Sequence, residues 1–141
     1  MAQNHRFALA VHSAGMIAFG DRMVVTSEAI ARSVGTNPVV VRRVFALLVR
    51  AGLVEVRKGQ NGGALLTRPP EQITLGEIYR AVEPGCALPV PELHVPDQCA
   101  VGKLVGPVMK MFFRRAEDCM VKQLDSTRLA DVIKKVQETK R

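Results

Sequence analysis

The stretch TSEAIARSVGTNPVVVRRVFALLVRAGLV, which covers residues 26–54, decides the fold of this chain. It begins with a short helix. Thr26 and Ser27 are residue types that cap helix N-termini, and Glu28 lies in the first turn, where the helix dipole favours an acid. Gly35 ends this helix, because glycine adopts the left-handed conformation that other residues avoid.

A second helix follows after a turn of only a few residues. Asn37 is a capping residue, and Pro38 fits the first helical turn, where its missing N–H costs nothing. The helix is predicted to run to residue 50 or 51, because Gly52 stops it. Its inward face is predicted to consist of Val41, Val44, Phe45 and Leu48.

The next segment predicts a β-hairpin. Residues 53–58 alternate between apolar and polar, residues 59–63 form a turn cluster with an Asn-Gly pair, and residues 64–67 form the returning strand. Two helices and then a hairpin with a basic tip is the order of a winged helix-turn-helix. The small, turn and buried aliphatic positions of that motif match Ala31, Gly35 and Val41.

Further helices flank this unit. Apolar residues recur at helical spacing over residues 4–20, and Thr74 with Glu77 forms a capping-box pattern ahead of a helix over 75–83. A short extended piece lies at residues 23–25. The fold class is therefore mainly α with a small β-hairpin wing.

The C-terminal part predicts one long helix and one short helix. The long helix is expected over residues 103–124, with Pro107 in its first turn or at a kink. Asp125 and Ser126 are expected to cap the last helix. Between the two halves, residues 84–101 carry four prolines without periodicity, which predicts a loop or linker.

Composition and charge narrow the class of partner. The chain has 141 residues, 48% of them apolar, which suits one folded domain with an appendage and excludes large barrels. The net charge is +7, and residues 1–70 hold nine Arg and Lys against three Asp and Glu. A basic half suits a polyanion such as nucleic acid.

The second helix of the motif is expected in the major groove of double-stranded DNA, with the hairpin tip in the minor groove. Arginines on the exposed face can grip guanine edges or phosphates, and valines at the helix start can contact a thymine methyl group. Backbone N–H groups at the helix N-terminus suit phosphate. The candidate DNA-binding residues are Ser27, Thr36, Asn37, Val39, Val40, Arg42, Arg43, Arg50, Arg57, Lys58, Gln60 and Asn61.

In order along the chain, these segments resemble the Rrf2 (IscR/BadM/CymR-like) family of winged helix-turn-helix transcriptional regulators. The resemblance is dense over residues 6–83 and thinner beyond. It is carried by Ser27–Ala31, Asn37–Arg43, Ala51–Val54, Gly59 with Gly62, Gly63 and Leu66, Ile73–Leu75, Ile78–Glu83, Cys99–Gly102 and residues 127–132.

The resemblance implies a homodimeric bacterial transcription factor on a pseudo-palindromic operator, and we expect a cytoplasmic repressor. Its domains would be a DNA-binding head over 1–83, a Pro-rich sensor or linker loop over 84–101 and dimerisation helices over 102–141. Pairing of the long helices would explain their second apolar face. The implied dimer-interface residues are Val105, Met109, Phe112, Phe113, Ala116 and Met120.

The three cysteines form an odd set without a C-x-x-C pair, which suits a reducing compartment. Some members of the family hold an iron–sulfur cluster through three closely spaced cysteines before the long helix. That spacing is missing here, so no cluster and no other metal site is predicted. Cys99 resembles a redox-sensing cysteine of cluster-free members, and Cys86 is a second sensor candidate, although both could be small buried residues. Cys119 is expected in the core.

Other functions remain open at this stage. The chain could be an iron–sulfur-dependent regulator of the same family, or a winged-helix protein-interaction module that does not bind DNA. An enzyme such as a thiol peroxidase is not expected, because no paired carboxylates, phosphate-cradling glycine loop or Ser/His/Asp set is present. No apolar run reaches the length of a membrane span. The effector is expected to be an oxidant or a small molecule.

Overall fold

The computed structural model describes residues 3–21, 23–83, 85, 94–96 and 98–139. Six α-helices and one two-stranded antiparallel sheet make up this part of the chain. The helices are α1 (Gln3–Phe19), α2 (Ser27–Val34), α3 (Pro38–Arg50), α4 (Leu75–Val82), α5 (Ala100–Asp125) and α6 (Leu129–Thr139). The strands are β1 (Val54–Arg57) and β2 (Gly63–Leu66), and a 3₁₀ turn covers Pro70–Gln72.

Local signals set the bounds of α2 and α3. The Thr26 side chain accepts a hydrogen bond from the Ala29 N–H at 3.1 Å, and Gly35 adopts a left-handed conformation with φ of 66°. The Asn37 side chain accepts from the Val39 N–H at 2.8 Å. Each cap satisfies a backbone donor that a helix N-terminus leaves free. The predicted helix-turn-helix is therefore confirmed.

The wing is a hairpin whose register runs from Val54 opposite Leu66 to Arg57 opposite Gly63. The extended piece before α2 adds to it, because Val25 and Ala64 exchange backbone hydrogen bonds of 3.1 and 2.8 Å. The tip is a five-residue connection over residues 58–62, which includes the Asn-Gly pair and agrees with the predicted turn cluster to within one residue.

The core lies where α1, α3 and α4 meet the base of the wing. Its side chains are almost all aliphatic, as the low aromatic content requires. Phe7 and Tyr79 add one edge-to-face ring pair at 5.4 Å between centroids. The largest fully buried hydrophobic residues are Ile30, Val41, Val44, Leu48, Ile73, Ile78, Val82 and Leu129. We call the unit formed by α1 to α4 and the wing the head.

The last helix belongs to this core. Leu129, the first residue of α6, is fully buried among residues of the head. Its N–H donates to the Ile73 carbonyl at 2.8 Å, and the Leu75 N–H donates to the Thr127 carbonyl at 2.9 Å. A short backbone bridge therefore ties the start of α6 to the segment before α4.

The long helix α5 starts at Ala100, three residues earlier than predicted, so Pro107 lies inside the helix and not in its first turn. The predicted cap at Asp125 and Ser126 is also wrong. Asp125 is the last residue of α5, and α6 begins where the Asp131 carboxylate accepts the Arg128 N–H at 2.8 Å. The Asp125 carboxylate does not cap α6, because it accepts hydrogen bonds from Arg80 on α4.

Side-chain contacts from Tyr79 and Arg80 join α4 to α5. Arg80 donates to both carboxylate oxygens of Asp125, at 3.0 and 2.7 Å, and the Tyr79 hydroxyl donates to Glu117 at 2.7 Å. The hydrogen bonds from Arg80 hold the pKa of the Asp125 carboxyl below its usual range. These contacts fix the direction of α5 relative to the head.

Cys119 is exposed on α5, so the prediction that it lies in the core is wrong for a single chain. The reason is that α5 contacts its own head only along one side, and none of its residues is fully buried. Among the described residues, no helix is long and apolar enough to cross a membrane.

Candidate nucleic-acid interface

The exposed face of α3 is the centre of the candidate interface. Val41, Val44, Phe45 and Leu48 are buried against the core, as predicted. The opposite side of the helix is exposed and carries Val39, Arg42, Arg43, Ala46 and Arg50. Helix periodicity alone creates this division, because residues three and four apart share a face.

Arg43 and Arg50 extend from this face without a partner. Among the described residues, neither guanidinium forms a hydrogen bond or an ion pair. Each group can therefore meet guanine edges or phosphate oxygens without first breaking an internal contact. Val39 is 47% exposed beside them and is free to contact a thymine methyl group. Val40 is half-buried and packs partly against the core.

Arg42 differs from these two arginines because its exposed guanidinium already has partners in the protein. One guanidinium nitrogen contacts the Glu28 carboxylate, and Nε donates to the Ser27 hydroxyl at 3.1 Å. Ser27, another candidate DNA-binding residue, is itself buried. Its hydroxyl donates to Glu28 at 3.1 Å and is occupied by these neighbours.

The N-terminus of α3 holds Thr36 and Asn37. The Asn37 side-chain oxygen caps the helix, while the residue remains exposed at the protein surface. Thr36 is half-buried, and its N–H donates to the Ala31 carbonyl at 2.9 Å. These two residues stand where the positive end of the helix dipole favours a phosphate group.

The tip of the wing supplies the second basic element. Lys58, Gln60 and Asn61 are all exposed, and among the described residues none of their side chains has a hydrogen-bond or ionic partner. Arg57 is paired weakly with Glu55 at 3.3 Å, and both side chains are more than half exposed. Such a pair is screened by water and opens at little cost.

Sequence reasoning missed Glu28 as part of this surface. It noted the residue only as an acid in the first turn of α2. The contact with Arg42 joins α2 to α3 across 14 positions, so no helical spacing reveals it. Hydrogen bonds from its own backbone N–H, from Arg42 and from Ser27 hold the pKa of the Glu28 carboxyl below its usual range.

Comparison with known proteins agrees with this geometry. The family model described as Rrf2, iron-dependent transcriptional regulator, matches residues 3–135. The chain belongs to the Rrf2 family. It is 37% identical over 130 residues to YwnA of Bacillus subtilis, named an HTH-type transcriptional regulator, with 92% of this chain and 96% of YwnA covered.

Solved structures of other regulators resemble this Rrf2 protein in fold. The structure of T. potens IscR superposes with a TM-score of 0.69 at 26% identity and covers 100% of this chain and 90% of its own. CymR of B. subtilis has a TM-score of 0.67 at 24% identity, over 92% and 93% of the two chains, and shares the fold. The relatives and the fold are those of transcriptional regulators, not of enzymes.

The family description raises the question of an iron site in this Rrf2 protein. Cys99 caps α5, where its Sγ accepts the Gly102 N–H at 3.3 Å, and Cys119 lies 20 positions further along the same helix. At ~1.5 Å per residue these two sulfurs stand about 30 Å apart, so they cannot share a cluster within one chain. Cys86 lies outside the described residues, and among the described residues no three His, Cys, Asp or Glu side chains converge.

Proposed function

We propose that this Rrf2-family regulator binds double-stranded DNA as a homodimer and acts as a repressor on a pseudo-palindromic operator. The observation that carries the proposal is the free basic surface of the head. Arg43 and Arg50 on α3 and Lys58 on the wing tip are exposed without internal partners among the described residues. In a winged helix-turn-helix these are the groups that meet the major groove and the adjacent phosphates.

The apolar surface of α5 supports the homodimer. Phe112 is 50% exposed, Val105 39% and Met120 40%, and Ala116 is also exposed, while Met109 and Phe113 are half-buried. A run of such side chains along one helix is costly to leave in water. Pairing with the same surface of a second copy would bury it and produce two heads related by a two-fold axis, which matches a palindromic site.

The signal is proposed to act without an iron–sulfur cluster, through thiol oxidation or a small ligand. Cys99 is exposed and caps the N-terminus of α5, the helix that is proposed to form the dimer interface. Absorption spectra of anaerobically purified protein, followed by mass spectrometry after peroxide treatment, test this directly. A visible cluster band would contradict the proposal, whereas an oxidised Cys99 would support it.

The proposed site of action is the cytoplasm, where a bacterial regulator meets chromosomal DNA.

The test of DNA binding is a fluorescence-anisotropy titration of a duplex with random sequence at several salt concentrations. Affinity is expected to fall steeply with salt, because Lys and Arg release counterions from phosphate. Reversal of charge at Arg43, Arg50 and Lys58, which have no internal partners among the described residues, should abolish the binding. Sedimentation of the same protein should give twice the mass of one chain. A winged-helix module that only binds proteins would show no salt-dependent affinity for DNA.

A further inference from the structure

Ser27, Glu28 and Arg42 form a closed triangle of hydrogen bonds between α2 and α3. Arg42 contacts the Glu28 carboxylate through Nη2 and the Ser27 hydroxyl through Nε at 3.1 Å, and Ser27 donates to Glu28 at 3.1 Å. Ser27 is buried, whereas the side chains of Arg42 and Glu28 are 56% and 48% exposed. The triangle is therefore anchored by a buried residue, while its two charged side chains remain accessible from solvent.

The triangle uses only one side of the guanidinium. Nε and Nη2 make up the side edge of the group, and both are occupied. The end edge, formed by Nη1 and the second hydrogen of Nη2, keeps a pair of parallel donors. Such a pair matches the two acceptors of a guanine edge. Arg42 thus presents one defined edge, whereas a free arginine would present all of its donors in many rotamers.

The charge of Arg42 is also compensated. Phosphate attraction depends on net positive charge and carries no sequence information. A carboxylate in direct contact with the guanidinium cancels much of that attraction but leaves its end edge available for hydrogen bonds.

We propose that Glu28 is a specificity-determining residue: it holds Arg42 for base recognition and suppresses its sequence-independent binding to phosphate. This inference rests on the proposed DNA-binding function. The opposing interpretation is that Glu28 only stabilises α2 through the helix dipole or repels DNA through space. In that case its effect on DNA binding would not depend on Arg42.

A double-mutant cycle separates the two interpretations. The variants Glu28→Gln, Arg42→Ala and the double variant are titrated with a labelled duplex of random sequence. Glu28→Gln should tighten binding about 3- to 10-fold and steepen the salt slope by about one ion, the contribution of one freed phosphate contact. In the Arg42→Ala background the same change should have no more effect than the control Glu71→Gln, which removes an exposed carboxylate outside the triangle.

A second readout concerns specificity. For an operator selected from a random library by the wild-type protein, Glu28→Gln should lower the ratio of operator affinity to random-sequence affinity about 3- to 10-fold. Circular dichroism and thermal unfolding of each variant confirm that it is folded before titration.

The outcomes are distinguishable. If Glu28→Gln tightens DNA binding equally with and without Arg42, the inference is overturned and the DNA-binding function stays intact. The same holds if Glu28→Gln leaves the affinity unchanged for both the random duplex and the selected operator. Failure of the wild-type protein to bind any duplex at low salt would overturn the proposed function and the inference together.

Discussion

The backbone of Gly76 on α4 lies directly against the carboxylate of Asp125, the last residue of α5. A Cβ at position 76 would overlap Oδ1 of Asp125 and stand 2.7 Å from its Cγ and 3.0 Å from its backbone nitrogen. Because Arg80 holds the carboxylate with two hydrogen bonds, it cannot swing away freely. The absence of a side chain at residue 76 is what allows the head and α5 to meet.

Replacement of Gly76 by alanine should therefore destabilise the fold. Overpacking of a tight contact costs about 1–3 kcal/mol, which here outweighs the gain in helix propensity of up to about 1 kcal/mol. Chemical denaturation measures the change. The matched control is Gly15→Ala in α1, where a Cβ meets no atom within 4 Å. That variant should be as stable as wild type or more so, and equal loss in both variants would contradict the contact.

The pair formed by Arg80 and Asp125 predicts an acid-sensitive contribution to stability. Since hydrogen bonds from Arg80 lower the pKa of Asp125 in the folded protein, the contribution is complete above the unfolded pKa of about 4. It is lost as the pH falls through the lower folded value. Denaturant unfolding of wild type and Asp125→Asn at pH 7, 5, 4 and 3 should show a difference in free energy that shrinks at the acid end. A constant difference would count against this contact.

Leu129→Ala should strongly destabilise the head, although the residue lies more than 40 positions beyond it in sequence. The side chain is fully buried in the core, and such truncations cost about 2–5 kcal/mol. Val136→Ala on the same helix is the control, since that side chain is 42% exposed and should cost far less. Thermal unfolding of both variants tests whether α6 is an integral part of the core.

Phe112→Asp should convert a dimer into a monomer. An exposed ring at the centre of the proposed interface contributes about 2 kcal/mol or more, and a buried unpaired carboxylate adds a further penalty. Sedimentation velocity across a concentration series measures the change. Arg114→Ala, about half a turn away on the same helix, should leave the mass of the assembly unaltered. A wild-type chain that sediments as a single subunit would remove the basis of this prediction.

Arg43→Ala and Lys58→Ala should weaken DNA binding in different ways. Loss of a guanine contact by Arg43 costs about 1–3 kcal/mol on the selected operator and little on random sequence. Loss of Lys58 should weaken binding to every sequence and reduce the salt slope by about one. Parallel titrations with the two duplexes distinguish the patterns. Identical behaviour of the two variants would refute the division between α3 and the wing.

Sequence reasoning succeeded where structure is set by neighbouring residues. The caps Thr26 and Asn37 and the left-handed Gly35 act within a few positions, so residue type alone predicts them. The inward face of α3 follows from periodicity in the same way. These signals were sufficient to obtain the winged helix-turn-helix and the exposed arginines of its second helix.

The failures at the candidate interface and around α5 mostly involve distant partners. Asp125 has the residue type of an N-cap, but Arg80 claims it from 45 positions away. Glu28 has the residue type of a first-turn acid, but its decisive neighbour is on the next helix. Cys119 fits an apolar stripe, but it is exposed, because the helix that carries the stripe meets its own head along one side only. Helical periodicity cannot predict these contacts, because the residues that form them lie on different helices.

The burial of Leu129 in the head has a consequence for synthesis on the ribosome. A nascent chain that has emerged only as far as Glu83 contains both helices of the DNA-binding motif and the entire wing. It still lacks the leucine that fills the space beside Ile73. We therefore expect the head to reach its full stability only after α5 and the start of α6 have been translated, when the helix proposed to pair two heads is already present.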